Sequence, residues 1–270
     1  GAGYWSLVAM HLAYTAVMAV GVWSACAWRP GWQPRFSRVR SMLAFGRNLT
    51  GFQLVDYGSR NVDKVLIGGC WGSWWLGLYT QAYELFVAPI KQIILPVSQV
   101  SIPALSRLQD NAQAFRDYYL RGLSFVLFMA TPFSIWLLVC APEFIGVFLG
   151  EKWLDAVPVL RLLLISGVVQ PVISTTQWLF RATGRSRELL VLGTLAALAT
   201  CAGFLAGLPF GVRAMTLNYT LVTLALTLPC VHYATRGTSV TQRDVWTAFA
   251  RPFGAALVSA GVGLAVKVWL

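Results

Sequence analysis

Charge is scarce in this sequence. Only 11% of the 270 residues are Asp, Glu, Lys or Arg, whereas 57% are hydrophobic. A soluble domain carries about 25% charged residues, so this chain has too few charges to cover the surface of a water-soluble fold. The shortage excludes a soluble globular domain and predicts an integral membrane protein.

A continuous basic region is also absent. The formal net charge is +11, but the Lys and Arg residues occur in short groups between long uncharged runs. A nucleic-acid-binding protein gathers its basic residues on one face, whereas a multi-pass membrane protein places them in its cytoplasmic loops. We therefore predict no nucleic-acid partner.

The motifs of common enzymes and cofactor-binding folds are missing. No GxGxxG, GxxxxGK[ST], HExxH or GxSxG segment occurs, and no predicted outside loop carries a DxD pair. The five cysteines have no CxxC spacing, and neither histidine has a Cys, Asp or Glu partner at ligand spacing. We predict no catalytic residue, no metal site and no cofactor.

Apolar runs long enough to cross a membrane recur along the whole chain. A spanning helix needs about 20 mostly apolar residues. Six stretches have that length and carry no charge except near their ends. Two others, 44–68 and 75–100, have the same length but carry internal charges, and counting them as well gives eight transmembrane helices. The fold class predicted is an all-α, polytopic membrane protein. The remaining spans are 4–28, 122–142, 162–180, 189–212, 214–235 and 248–270.

Basic residues support the eight-span topology. Fourteen of the 21 Lys and Arg residues fall in alternate gaps between the predicted spans. The positive-inside rule makes these gaps cytoplasmic and places both ends of the chain outside. Omitting either charged stretch would put consecutive basic gaps on opposite sides of the membrane. The fourteen are Arg29, Arg35, Arg38, Arg40, Arg47, Arg107, Arg116, Arg121, Arg181, Arg185, Arg187, Arg236, Arg243 and Arg251.

Polar residues inside the second and third spans are the main functional signal. Successive helical residues are about 100° apart, so each polar set occupies one narrow arc of its helix. A charge inside a span costs at least a few kcal/mol, and both stripes are therefore expected to face one water-filled cavity. The stripes are Gln53, Asp56, Arg60, Asp63 and Lys64 in the second span, and Gln81, Glu84, Lys91, Gln92 and Gln99 in the third.

These stripes supply the candidate site residues. The candidates for binding an anionic substrate are Arg60, Lys64, Lys91 and Arg161, together with Gln53. The candidates for binding a coupling ion are Asp56, Asp63 and Glu84. Structural pairing alone remains an alternative, because Asp56–Arg60 has i,i+4 spacing and Arg60–Asp63 has i,i+3 spacing.

Several segments resemble a known transporter family. FGRNLTGFQLVDYGSRNVDKVLIG at 45–68 and LGLYTQAYELFVAPIKQIILPVSQVSIPALSRLQ at 76–109 are similar to polysaccharide and O-antigen flippases. The similarity is to the colanic-acid-exporter type of lipopolysaccharide biosynthesis protein, in the multidrug/oligosaccharidyl-lipid/polysaccharide exporter superfamily. Its more specific parts are Asn61-Val-Asp63 with Ile67-Gly68, and Pro103 with Leu105-Ser106.

The resemblance implies a MATE-like transporter with two six-helix lobes. Residues 1–27 would be the last helix of the N-terminal lobe, and 28–43 a basic cytoplasmic inter-lobe linker. Residues 44–235 would form the C-terminal six-helix lobe, and 236–270 an additional transmembrane helix. Half of the central cavity would then lie outside this chain, so we expect no transport by the chain alone.

The resemblance also implies a function. Such proteins move an undecaprenyl-diphosphate-linked oligosaccharide across the bacterial inner membrane by alternating access, without enzymatic catalysis. The implied partners are this lipid-linked oligosaccharide, membrane lipids, H⁺ or Na⁺, and the polysaccharide polymerase machinery. The alternatives are a drug/cation antiporter of the same superfamily, a membrane-embedded glycan polymerase or glycosyltransferase, and an assembly scaffold that has lost transport.

Overall fold

A computed structural model describes residues 5–26 and 36–269 of the chain. The predicted linker, 28–43, lies partly outside this range, because residues 27–35 are not among the described residues. The chain divides into two compact units, Gly1–Leu43 and Ala44–Leu270. The first unit contributes helix α1, and the second holds the cavities described below.

Within the described residues every regular element is helical, which confirms the predicted all-α class. Short 3₁₀ turns occur at Glu151–Ala156 and Leu208–Phe210. The helices are α1 (Trp5–Ala25), α2 (Phe36–Arg107), α3 (Ala112–Val139), α4 (Ala141–Phe148), α5 (Val157–Ala182), α6 (Ser186–Gly207), α7 (Val212–Thr235) and α8 (Gln242–Trp269).

Helix α2 reverses direction at Gly72. A straight helix of 72 residues would be about 108 Å long, more than three times the thickness of the hydrocarbon core. Gly72 has φ 81° and ψ −177°, a conformation that residues with a Cβ atom rarely adopt. Beyond it the chain folds back, since the Tyr79 hydroxyl donates a hydrogen bond to Asp63 over 2.6 Å. The two antiparallel arms are named α2a (36–71) and α2b (73–107).

The helix lengths are those of a multi-pass membrane protein. Within the described residues, seven helical segments are long and apolar enough to cross a membrane. One of them, Met42–Arg107, contains 66 residues and the reversal at Gly72, so each of its two arms is long enough for one crossing. The number of membrane-length helices is therefore consistent with the prediction of about eight spans.

Several helices extend beyond the apolar runs that predicted them. Helix α3 begins ten residues before the predicted span at 122, because Asn111 caps its first turn by accepting a hydrogen bond from the Ala114 N–H. Arg116, predicted to lie in a loop, is therefore on a helix. The predicted outside loop at 142–157 is likewise mostly helical, because α4 and a 3₁₀ turn occupy it.

Helix α5 lies at the centre of the second unit. It packs against α3, α6 and α7, and the ring of Phe86 on α2b lies against Gly167. A hydrogen bond of 2.8 Å from the Thr220 hydroxyl to the Leu162 carbonyl joins α7 to α5. Neighbours on several sides make α5 the most buried of the membrane-length segments.

Two apolar clusters of buried residues lie at different positions along the helix axes. One lies at the Gly72 end and includes Ile67, Phe86 and Leu160. The other lies towards the opposite end and includes Phe52 and Leu179. Between them is a polar layer, defined by Asp56, Arg60 and Asp63 on α2a, Gln170 on α5, and Thr220 and Thr223 on α7. The polar stripe predicted on the second span thus lies midway along the helices.

Helices α6 and α7 approach each other closely where α6 ends. A Cβ atom added to Gly207 would lie 2.5 Å from the Cα atom of Met215. Nearby, the Asn218 amide donates a hydrogen bond to the Gly203 carbonyl over 3.2 Å, and the rings of Phe204 and Tyr219 stack with centroids 5.5 Å apart. Backbone contact of this kind requires glycine at position 207.

We predict that Gly207→Ala destabilises the protein, because the added methyl group meets backbone atoms that cannot rotate away. The expected loss is about 1–3 kcal/mol, as for other overpacked sites. The measurement is thermal unfolding in detergent, followed by tryptophan fluorescence. The control is Gly58→Ala, at an exposed helical position with nothing within 4 Å of the added Cβ. Equal unfolding midpoints for the two variants would contradict the prediction.

Candidate functional site

Two cavities in the second unit meet at the polar layer, and three of its residues, Asp56, Arg60 and Gln170, line both. The inner cavity, of about 140 Å³, lies among α2a, α5, α6 and α7. The basic cavity, of about 460 Å³, lies among α2a, α2b and α5. Both are lined by Asp56 and Arg60, and by Gln170 and Gln177 of α5. One charged pair therefore forms part of the wall of both spaces.

The shared pair is an ion pair within one helix. Arg60 Nε lies 2.8 Å from Asp56 Oδ2, and a little more than one third of each side chain is exposed. This is the i,i+4 contact that the sequence predicts. Because both groups also line open cavities, the pairing does not remove them from contact with a ligand.

The basic cavity holds an excess of positive charge. Its charged lining consists of Arg60, Lys91 and Arg181 against the single carboxylate of Asp56. Lys91 is exposed, and Gln53 lines the same wall. The structure thus brings together three of the five residues predicted to bind an anionic substrate: Gln53, Arg60 and Lys91.

Arg181 is a cavity residue that the sequence analysis assigned to a loop. Its Nη2 donates a hydrogen bond to Gln177 Oε1 over 3.2 Å, while its Nε is buried and has no hydrogen-bond partner among the described residues. Gln170, Gln177 and Arg181 are spaced seven and four residues apart, which places them on one helical face. This spacing is the feature of the sequence from which a cavity-facing position of Arg181 could have been predicted.

Asp63 lies at the wall of the inner cavity but is almost fully buried. Its side chain is 1% exposed and accepts hydrogen bonds from the Tyr79 hydroxyl at 2.6 Å and from the Lys64 N–H at 2.7 Å. It therefore pairs with Tyr79 on α2b, whereas the sequence suggested Arg60 as its partner. The bond joins the two arms of α2 and supplies a polar partner for a buried carboxylate.

The other predicted residues lie outside the two cavity linings. Lys64 Nζ is 3.8 Å from Glu84 Oε1 and 5.1 Å from the centre of the Tyr83 ring, so this ion pair also connects α2a with α2b. Arg161, near the start of α5, is exposed and lines neither cavity. The predicted stripe thus divides into residues that line cavities and residues that join the arms.

The fold is that of a multi-pass, all-helical membrane protein. It is similar to a solved multidrug resistance MATE family transporter of the MOP superfamily in an outward-facing conformation. The TM-score is 0.65 at 15% sequence identity, over 84% of this chain and 54% of that chain. At this identity the likeness defines the fold, and it supports the predicted MATE-like architecture.

Sequence comparison defines the family. The profile of the polysaccharide biosynthesis protein family matches residues 1–158, more than half of the chain, and the chain belongs to this family. The chain is 28% identical over 170 residues to the teichuronic acid biosynthesis protein TuaB of Bacillus subtilis, covering 62% of this chain and 35% of TuaB. It is 29% identical over 145 residues to the lipopolysaccharide biosynthesis protein WzxC of Escherichia coli, covering 54% of this chain and 30% of WzxC.

A third relative extends the match along the chain. The succinoglycan biosynthesis transport protein ExoT of Rhizobium meliloti is 22% identical over 201 residues, covering 74% of this chain and 40% of ExoT. The matched regions amount to about a third of the length of TuaB and WzxC.

We predict that Tyr79→Phe destabilises the protein, because it leaves the buried Asp63 carboxylate without its side-chain donor. An unsatisfied buried polar group costs about 1–3 kcal/mol. The measurement is thermal unfolding in detergent. The matched control is Tyr57→Phe on α2a, where the ring is 70% exposed. If both variants unfold at the wild-type temperature, the Tyr79–Asp63 bond contributes nothing to stability.

Proposed function

We propose that this chain forms the second lobe of a flippase that moves an undecaprenyl-diphosphate-linked oligosaccharide across the bacterial inner membrane. Family membership and the names of its relatives, which refer to polysaccharide biosynthesis and transport, support this proposal. The head of the substrate would enter the basic cavity, while its polyprenyl tail stays in lipid. Transport would proceed by alternating access without covalent catalysis.

The charge of the basic cavity is the observation that carries the proposal. Arg60, Lys91 and Arg181 outnumber the one carboxylate in the lining. A diphosphate offers several anionic oxygens, and arginine donates two parallel hydrogen bonds to such groups. The Arg181 Nε, unpartnered among the described residues, is a donor that a phosphate oxygen would satisfy.

The domain boundaries follow from the same proposal. Residues 1–27 would close the N-terminal lobe, 28–43 would link the lobes, 44–235 would be the C-terminal lobe, and 236–270 would add one helix. Two-lobe transporters of this general kind place their substrate between the repeats and rock one against the other. The basic cavity would then be one wall of the central substrate site.

Ion coupling is proposed at the carboxylates of the inner cavity. Asp56 and Asp63 line it, and a proton or Na⁺ there would compete with Arg60 for Asp56. Release of Arg60 would make its guanidinium available to an anion in the basic cavity, because the pair belongs to both walls. Glu84 would act indirectly, through Lys64 and the α2 hairpin.

A drug/cation antiporter is the second candidate. The carboxylates of the inner cavity favour it, since they would attract a cationic compound. The positive charge of the larger cavity opposes it. In a flippase the cationic residues would bind the anionic substrate, whereas in a cation antiporter they would not. The identity of the transported molecule therefore distinguishes the two candidates.

We predict that Arg181→Gln in the complete protein reduces delivery of lipid-linked oligosaccharide to the outer leaflet by about tenfold or more, as expected for loss of a charge-assisted hydrogen bond. Lys91→Gln is expected to act in the same direction. The measurement is the leaflet position of the precursor, together with the amount of surface polysaccharide.

The matched control is Arg187→Gln. It removes the same charge from an exposed residue near the start of α6 that lines neither cavity. Wild-type export by both Arg181→Gln and Lys91→Gln, at normal protein levels, would exclude an anion-binding role for the basic cavity. Loss of resistance to cationic drugs with unchanged polysaccharide would favour the antiporter.

A further inference from the structure

A groove of about 650 Å³ lies along the first halves of α3 and α8, and none of its lining residues lines either of the two cavities. Arg116 closes one end of it by a double hydrogen bond to Asp244, with Nε–Oδ2 at 2.9 Å and Nη2–Oδ1 at 2.6 Å. The Thr241 N–H donates a further bond to Asp244. Because this contact joins the beginnings of both helices, α3 and α8 run in the same direction away from it.

Arg251 lines this groove without a protein partner. It lies seven residues after Asp244, which is about 10 Å further along α8. Its side chain is exposed and forms no hydrogen bond or ion pair with any other residue that the structure describes. Asp244 is the only carboxylate in the lining, and it is already bonded to Arg116 and Thr241. Arg251 therefore contributes an uncompensated positive charge to the wall.

The rest of the groove is suited to a molecule with a polar head and apolar chains. The hydroxyl-bearing residues Ser124 of α3 and Thr247 of α8 are exposed and line the same groove as Arg251. The lining from α3 also contains two exposed aromatic rings, Phe125 at 51% exposure and Phe128 at 65%. The groove thus has an ion pair at one end and Phe128 towards the other, with Arg251, the hydroxyl groups and Phe125 between them.

We propose that this groove binds an anionic glycerophospholipid from the cytoplasmic leaflet. The positive-inside rule places the beginnings of α3 and α8 at the cytoplasmic face. The lipid phosphate would accept hydrogen bonds from the Arg251 guanidinium, which suits phosphate geometry. An acyl chain would lie over Phe125 and Phe128. Basic pockets between transmembrane helices on the cytoplasmic side bind anionic headgroups in this manner.

The bound lipid would cover exposed surface beside a well-packed interface. Helices α3 and α8 pack against each other and share a buried apolar cluster that includes Leu123 and Val245, and the groove runs along the exposed side of this contact. A lipid there would neutralise Arg251 and cover the aromatic rings. This site is independent of the proposed transport activity, because none of its residues lines either cavity.

The test is native mass spectrometry of the complete protein, released from nanodiscs that contain phosphatidylglycerol and phosphatidylcholine. We expect the wild type to retain phosphatidylglycerol preferentially. Arg251→Gln should lower its apparent affinity by about tenfold or more. Arg243→Gln, which removes the same charge from an exposed residue of α8 outside the groove, should leave the affinity unchanged.

A second measurement uses the wild-type protein alone. Photoreactive phosphatidylglycerol should label peptides that contain 116–128 and 244–252. Labelling spread evenly around the helices would overturn the proposal. So would equal retention of the two lipids by the wild type, or equal effects of Arg251→Gln and Arg243→Gln.

Discussion

Ionisable side chains lie midway along the helices of an otherwise apolar unit, and each of them needs a partner. A charge buried in such surroundings costs several kcal/mol unless it is paired. Asp56 and Arg60 find each other within one helical turn, so their pairing requires no other helix. Asp63 accepts one hydrogen bond from the neighbouring Lys64 N–H and finds its side-chain partner, Tyr79, across the hairpin. The reversal at Gly72 therefore does more than return the chain, because it supplies one of the two donors to this buried carboxylate.

The position of the Asp56–Arg60 pair gives a physical basis for the proposed coupling. The same carboxylate and guanidinium form part of the inner cavity and of the basic cavity. A ligand that neutralises one member changes the electrostatic environment of the other. Communication between the two spaces would then need no large rearrangement within the lobe, only exchange of the partner of a half-exposed ion pair.

The candidate site combines residues inside the region that the family profile matches with residues beyond it. The family profile matches residues 1–158, which include α2 and its polar stripe. Arg181, Gln170 and Gln177 belong to α5 and lie beyond that match, yet they complete the wall of the basic cavity. Helix α5, the most buried of the membrane-length helices, thus presents polar groups to the same basic cavity as α2, which lies within the matched region. The groove proposed to bind a lipid is likewise lined by α3, which lies within the matched region, and by α8, which lies beyond it.

Local chemistry in the sequence determined the membrane class, the number of spans and the polar stripe on α2a. Hydropathy, charge spacing and helical periodicity are properties of neighbouring residues, so they can be read without knowing the fold. The same periodicity identified Asp56 and Arg60 as a pair and placed Gln53, Arg60 and Lys91 among the cavity residues.

Only the tertiary structure decided which polar residues meet across helices. Asp63 pairs with Tyr79, Lys64 with Glu84, and Arg116 with Asp244, and each contact depends on how two helices approach. For the same reason Arg161 lies outside both cavities although its residue type suited them. Arg181, which resembles a topology-setting loop residue in the sequence, faces the basic cavity because α5 continues to Ala182. Helix length and packing, which involve residues far apart in the chain, decided these roles.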